Sequence, residues 1–302
     1  RKLIVARKLD GESVAYGYID PVYYFVDGTR GVFGGGSEAK NVMDYIALAT
    51  TGNATDFGDL TVARGELAAC SSSTRGVFGG GVTTNRNVID YITLSTLGNA
   101  ADFGDLTVAR YYIAACSSST RGVFGGGTTG SDSNVIDYIT IDTAGNATDF
   151  GDLTVARYAT AACSSSTRGV FGGGTNSNII EYITIATTGN ATDFGDLTLA
   201  RYYLAACSSS TRGVFGGGTN IIDYITIATT GNATDFGDLT TGITGLAACS
   251  SSTRGVFGGG DQTPNTIEYI TLATTGNAAD FGDLTVERGY LAACSDGHGG
   301  LS

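Results

Sequence analysis

The stretch IAACSSSTRGVFGGGTTGSDSNVIDYITIDTAGNATDFGDLTVAR, residues 113–157, decides the fold. Residues 135–141 are dense in β-branched and aromatic side chains, and IAACSS and GVFGGG are short runs bounded by Ser, Thr and Gly. These are strand signals. The triple glycine and the Gly-Asn turn would interrupt any helix, and no Leu/Ala/Glu/Lys segment of helical period runs through the unit. Four short strands follow in order: A (IAACS), B (GVFGGG), C (VIDYITI) and D (ATDFGDL).

Outward from this stretch, the same unit recurs. RGVFGGG occurs six times, starting at Arg30, Arg75, Arg121, Arg168, Arg212 and Arg254, at intervals of 42–47 residues. A four-strand unit with a period near 45 residues reads as a propeller blade. Each blade buries both faces against its neighbours, which accounts for the apolar B and C strands. The small Ala-Ala-Cys set puts strand A innermost, where strands crowd around an axis. At the termini, residues 11–19 align without gaps on GNATDFGDL, residues 2–8 fall where strand C belongs, and residues 22–26 occupy strand A of the next unit. Residues 290–294 form a seventh strand A, followed by 297–300 as a shortened strand B. The expected fold is all-β, a seven-bladed propeller in one domain over 1–302. It has six repeats over roughly 22–289 and a seventh blade shared by 1–21 and 290–302. N-terminal strands C and D pair with C-terminal strands A and B, and the closed ring leaves no open sheet edge. Six blades plus disordered ends is the alternative. The start at Arg1 rather than Met suggests a piece of a longer product.

Charge and composition exclude several functions. Against 29 Asp and Glu stand 17 Lys and Arg, a formal charge of -12, which opposes a duplex-binding surface. No apolar run reaches the roughly 18 residues of a membrane span and no signal peptide is visible, so membrane insertion is not expected. The single His298 rules out chemistry that needs several imidazoles, a copper oxidase site included.

The motifs read as structure. The glycine runs lack the Lys-Ser/Thr and helix of a phosphate loop; they end strand B and permit positive φ or close blade contact. DFGD sets two carboxylates three residues apart in every copy, as at Asp149 and Asp152, without the converging oxygens of a calcium loop. Twelve carboxylates repeated by symmetry also argue against an active site, which is one asymmetric constellation; turn hydrogen bonds or pairing with a repeated Arg account for them. Cys70, Cys116, Cys163, Cys207, Cys249 and Cys294 fall once per unit. Equivalent points on adjacent inner strands lie beyond bridging range and no C-x-x-C supports zinc, so buried free thiols are expected, in keeping with assembly in a reducing bacterial cytoplasm. Asn-Ala-Thr, as at Asn146, is a turn, and His298 belongs to a closing turn. No cofactor and no metal are expected.

The copies differ mainly between strands B and C and between D and A, connections that emerge on one face of the disc. Loops on a rigid scaffold are where binding concentrates. That face carries Arg110, Tyr111, Tyr112, Arg157, Tyr158, Arg201, Tyr202, Tyr203 and Tyr290, residue types favoured at recognition surfaces and against sugar rings. Drift between duplicated copies explains the same variation without function. The constant face, with its six repeated Arg from Arg30 to Arg254, reads either as a docking surface or as structural pairing.

The unit resembles the kelch motif: Arg110, Phe124-Gly125-Gly126, Asp137-Tyr138 and Phe150 fill its places, with Phe where the motif has Trp. The near-identical copies, the GNATDFGDLTVAR phrase and the closing CSDGHGGLS also resemble virion or tail-associated repeat proteins of marine bacteriophages, notably cyanophages. The resemblance implies location in a virion and a non-enzymatic structural or adhesion module, an oligomer within a larger assembly. Its variable face would meet a host-surface glycan or receptor, or another virion protein. The alternative is a cellular kelch-like scaffold for protein partners, at the cell surface or outside it. A glycan-active propeller enzyme is the weakest reading, because it needs paired carboxylates that break the repeat.

Overall fold

The computed structural model describes residues 29–82, 87–175, 177–261 and 265–301. Among these residues there are six four-stranded antiparallel sheets, each running A-B-C-D from the axis outward. The A strands are Ala68–Ser71, Ala114–Ser117, Ala161–Ser164, Leu204–Ser208, Ala247–Ser250 and Ala292–Ser295. They line the axis, as their small side chains require, and the apolar faces of B, C and D pack between blades in six separate cores. In each, the strand B phenylalanine, such as Phe124, is fully buried. A side chain of that size contributes about 2–3 kcal/mol on burial.

The blade count corrects the seven-bladed expectation. Ala292–Ser295 does supply an inner strand, but it pairs with Arg30–Gly34 and completes the first repeat's own blade. Residues 22–26 were expected in that place. The 1–21 half of the proposed shared blade, and 22–26, lie outside the described residues. Residues 297–300 form no strand B; a 3-10 turn at Gly299–Leu301 enters the axial channel instead. The ring is already sealed at six. Each inner-strand serine donates its hydroxyl to the carbonyl of the preceding blade's serine, at 2.7–2.8 Å. The same hydroxyl accepts that serine's N–H at 3.1–3.4 Å. Ser295 to Ser71 closes the circle, so no edge is left for another wedge.

Two further contacts set the wedge between blades. A Cβ placed at Gly122 of strand B would stand 2.6 Å from Cys70 Sγ of the preceding blade, and the equivalent approach recurs in every blade. All six cysteines are buried and free; burial pushes the Cys116 and Cys207 thiols up to about 12. At the rim, strand D bulges beside Phe150, and Gly151, at φ +145°, lets the next blade's Gly189 carbonyl press close. There the Asp152 N–H donates to Asn190 Oδ1 at 3.1 Å, which gives the repeated Gly-Asn turn its structural task.

The repeated Arg of the constant face are also structural. Arg121 lies over the Tyr138 ring of its own blade at 4.3 Å and donates to the Ile185 carbonyl of the next at 2.8 Å. The other five repeat the arrangement around the ring.

Candidate functional site

The connection from D to A runs Leu-Thr-Val-Ala-Arg and then two residues before the inner strand. Its Arg turns down into the protein. Arg110, Arg157 and Arg201 are buried and meet Asp137, Glu181 and Asp223 of strand C at 2.5, 2.5 and 2.7 Å. Arg64–Asp90 and Arg288–Asp44 repeat the pair. Each guanidinium also donates to strand B or C carbonyls, as Arg110 does to Gly126 O at 2.8 Å. Burial lowers the pKa of Arg110, Arg157 and Arg201, with the facing acid opposing the shift at each. These three Arg were expected on the binding face; they fasten the connection to the blade and leave that face to the tyrosines. The acids expected to pair with a repeated Arg were those of DFGD, whereas the partner is the strand C acid.

The remaining connection departs from the rule. Ile243 stands where the others have Arg, so Glu268, buried on strand C, keeps only the Thr240 hydroxyl and N–H contacts, of the kind that the equivalent threonines also make to the Arg-paired acids. Burial raises the Glu268 pKa.

The residue before each inner strand turns the chain into the axis. Glu66, Tyr112, Ala159, Tyr203 and Tyr290 hold φ of 53–61°, and Gly245 holds 70°. Their backbones form a circle: Tyr112 N–H donates to Glu66 O at 2.8 Å, Ala159 to Tyr112, Tyr203 to Ala159, Gly245 to Tyr203, Tyr290 to Gly245 and Glu66 to Tyr290. The left-handed conformation costs a non-glycine residue roughly 1 kcal/mol. Tyrosine occupies alternate places, with Glu, Ala and Gly between, and this spacing lets three rings meet over the axis. Tyr112–Tyr203, Tyr203–Tyr290 and Tyr112–Tyr290 centroids lie 5.0, 5.2 and 5.7 Å apart.

Around the triad, Tyr158 packs on Tyr112 at 5.7 Å, Tyr111 on Tyr112 at 5.3 Å and Tyr202 on Tyr203 at 4.8 Å. The six expected tyrosines thus form one cluster. Tyr202 is exposed, and Val108, Val155 and Leu199 are exposed on the D–A connections that lead to Tyr111, Tyr158 and Tyr202. Beneath the rings is a cavity of about 60 Å³ lined by Leu67, Ile113, Thr160, Leu204, Leu246 and Leu291. Thr160 breaks that apolar ring, and its buried hydroxyl has no hydrogen-bond partner among the described residues. Burial, followed by hydrogen bonds with Glu66 and Tyr203, raises the Tyr112 pKa, and burial with the Asp261 contact raises that of Tyr290. These two phenols therefore stay neutral, and the Tyr290 hydroxyl donates a hydrogen bond to Asp261 Oδ2 at 2.7 Å.

Glu66 and Asp261 were not singled out from sequence. The signal for Glu66 was available: aligned on the inner-strand leucine, the preceding residue reads Glu, Tyr, Ala, Tyr, Gly, Tyr.

The opposite mouth is closed by the chain's own tail. His298 Nε2 donates to Ser71 O at 3.1 Å and Nδ1 accepts the Gly300 N–H at 3.1 Å, so the neutral ring satisfies both nitrogens. Burial lowers its pKa to about 4. Among the described residues no group of His, Cys, Asp or Glu is arranged to hold a metal ion, and no helix is long and apolar enough to cross a membrane. Neither a protein-family model nor a curated protein matches this sequence.

Proposed function

We propose that this propeller is a non-enzymatic binding module that presents its tyrosine-lined face to a macromolecular partner. The observation that carries the reading is the axial circle, where five non-glycine residues are held in a left-handed conformation and three tyrosines converge. Packing alone is served there by Gly245, so retention of strained, large, half-buried aromatic side chains favours recognition. The buried pairs beneath make the face rigid. A channel closed by tyrosines at one mouth and by the His298 tail at the other argues against passage through the axis.

In this reading the protein is a virion or tail-associated component of a bacteriophage, and the partner is a host-surface glycan or another virion protein. The support is the resemblance of the GNATDFGDLTVAR repeats to phage repeat proteins. Kinship with kelch repeats belongs to the same proposal: the Arg, Gly-Gly, Asp-Tyr and Phe that carry the likeness hold the blade together here, as Arg110, Gly125-Gly126, Asp137-Tyr138 and Phe150.

Binding of the purified protein to glycan arrays, host cells and purified virion proteins tests the face. A Tyr158→Ala, Tyr202→Ala, Tyr203→Ala variant is expected to lose at least about tenfold in affinity, since aromatic anchors dominate such surfaces. Undiminished binding by a folded variant removes the tyrosine face from the proposal.

A further inference from the structure

We infer that the axial channel is a binding site for a cluster of ordered water molecules, with the chain's own tail as its lid. The site lies between the ring of Leu67, Ile113, Thr160, Leu204, Leu246 and Leu291 and the 3-10 turn at Gly299–Leu301. It is independent of the reading of the tyrosine face.

Strand phase puts polar groups into this space. Along an antiparallel strand, residues alternately turn their N–H and C=O toward the partner strand and away from it. The Ser72 N–H donates to the Arg75 carbonyl of strand B at 2.9 Å, so residues 72, 70 and 68 face strand B. Ser71 faces the axis, where its carbonyl accepts from the Ser117 hydroxyl at 2.8 Å and from His298 Nε2 at 3.1 Å. Ala69 shares that phase and turns its N–H and C=O to the axis as well. The same hairpin contact fixes the same phase for Ala115, Ala162, Ala206, Ala248 and Ala293. The serine groups are bonded to one another around the ring. The N–H and C=O of the six alanines have no hydrogen-bond partner among the described residues. Buried backbone groups are almost always paired, with ordered water where protein does not serve.

The lining selects the ligand. The six alanines are half-buried and border a cavity of about 60 Å³. A water needs roughly 10–15 Å³ of such space, so about four to six fit. Donors and acceptors are equal in number, and no charged side chain borders the cavity. Its titratable groups are the six thiols, whose sulfurs point between blades, and the neutral His298 ring. An ion would keep its charge uncompensated there. An apolar molecule would leave the alanine groups unpaired. Water both donates and accepts, and can bridge the C=O of one blade to the N–H of the next. The tail closes the space tightly: a Cβ at Gly300 would overlap the Ser117 carbonyl oxygen, and one at Gly299 that of Ser209.

The test is a crystal structure of the full chain at a resolution that orders solvent, with a second crystal soaked in caesium bromide and measured for anomalous scattering. About four to six waters are expected on the axis, within hydrogen-bond distance of the alanine N–H and C=O groups. A dry axis, or one filled by side chains, overturns the assignment. An anomalous peak there assigns the site to an ion and overturns it too. Magnetic relaxation dispersion of solvent water then tests the lid in solution. The parent should show long-lived waters, and a Gly299→Ala, Gly300→Ala variant, whose tail cannot seat, should lose at least half of that amplitude. Absence of long-lived water in the parent overturns the site. Equal amplitudes, in a variant whose His298 ring titrates like a free imidazole, show that the tail is not the lid.

Discussion

Ala159 holds a φ of +55° in a circle whose neighbours at 112 and 203 are tyrosines. Its methyl group is the smallest side chain that incurs left-handed strain, so Ala159→Gly isolates that strain from ring packing. The expected result is a gain of up to about 1 kcal/mol in denaturant unfolding; a loss would mean that the conformation is not strained there. The buried pairs offer a second comparison. Arg201→Met leaves Asp223 buried without its cation and should cost about 3–5 kcal/mol. Glu268 has Ile243 rather than Arg beside it, and burial raises its pKa. Glu268→Gln keeps the shape and an acceptor for Thr240, so at pH 7 it should lie within about 1 kcal/mol of the parent or above it. Comparable losses in the two variants would contradict the difference between the sectors. The Asp-Tyr strand signal was legible in the repeat, but the partner of each acid was not. Asp137 lies 27 residues from Arg110, and nothing local distinguishes it from the nearer Asp102 and Asp105.

The B strands show why an element keeps its composition. In Gly122 the missing side chain is the room taken by Cys70 Sγ of the neighbouring blade, with Ile139 on the other side. Gly122→Ala should cost about 1–3 kcal/mol by overpacking. In a Cys70→Ala background the same change should cost at least 1 kcal/mol less, because the opposing sulfur is gone. Equal costs in both backgrounds, measured by chemical unfolding, would show that this contact does not set the spacing. The element reading from sequence was sound for A, B, C and D, since alternation and turn residues are local properties. It placed the tyrosines on one face correctly but placed their adjacent Arg there too. Consecutive residues of a connection point in opposite directions once Arg110 is drawn down by Asp137, and that pull comes from strand C.

At the scale of the whole molecule, the last strand and the tail hold the ring together. Ala292–Ser295 joins a strand more than 250 residues away, and the following turn puts His298 into the channel. The imidazole is neutral in the fold, with its pKa lowered to about 4 from 6.5. Its contribution is therefore complete above pH 6.5, declines as the pH falls below that value, and is lost below about 4. The difference corresponds to about 3 kcal/mol. Protonation would place an N–H at Nδ1 against the Gly300 N–H, so the tail should leave the channel in acid. Unfolding curves of the parent and His298→Gln are expected to converge by about that amount between pH 6.5 and 4; parallel curves would show that the tail is not held by the neutral ring.

The repeat by itself determined an all-β propeller of four-stranded blades, small inner strands, free buried cysteines and a tyrosine-bearing face. Each of these follows from side-chain size, alternation and turn chemistry within about 45 residues. Only the tertiary structure decided the blade number, the strand that completes the first blade and the convergence of Tyr112, Tyr203, Tyr290 and Glu66. Closure depends on the wedge angle accumulated through cysteine–glycine contacts and on the pairing of the last strand, Ala292–Ser295, with Arg30–Gly34. Both are sums over the entire ring, and no single repeat carries them.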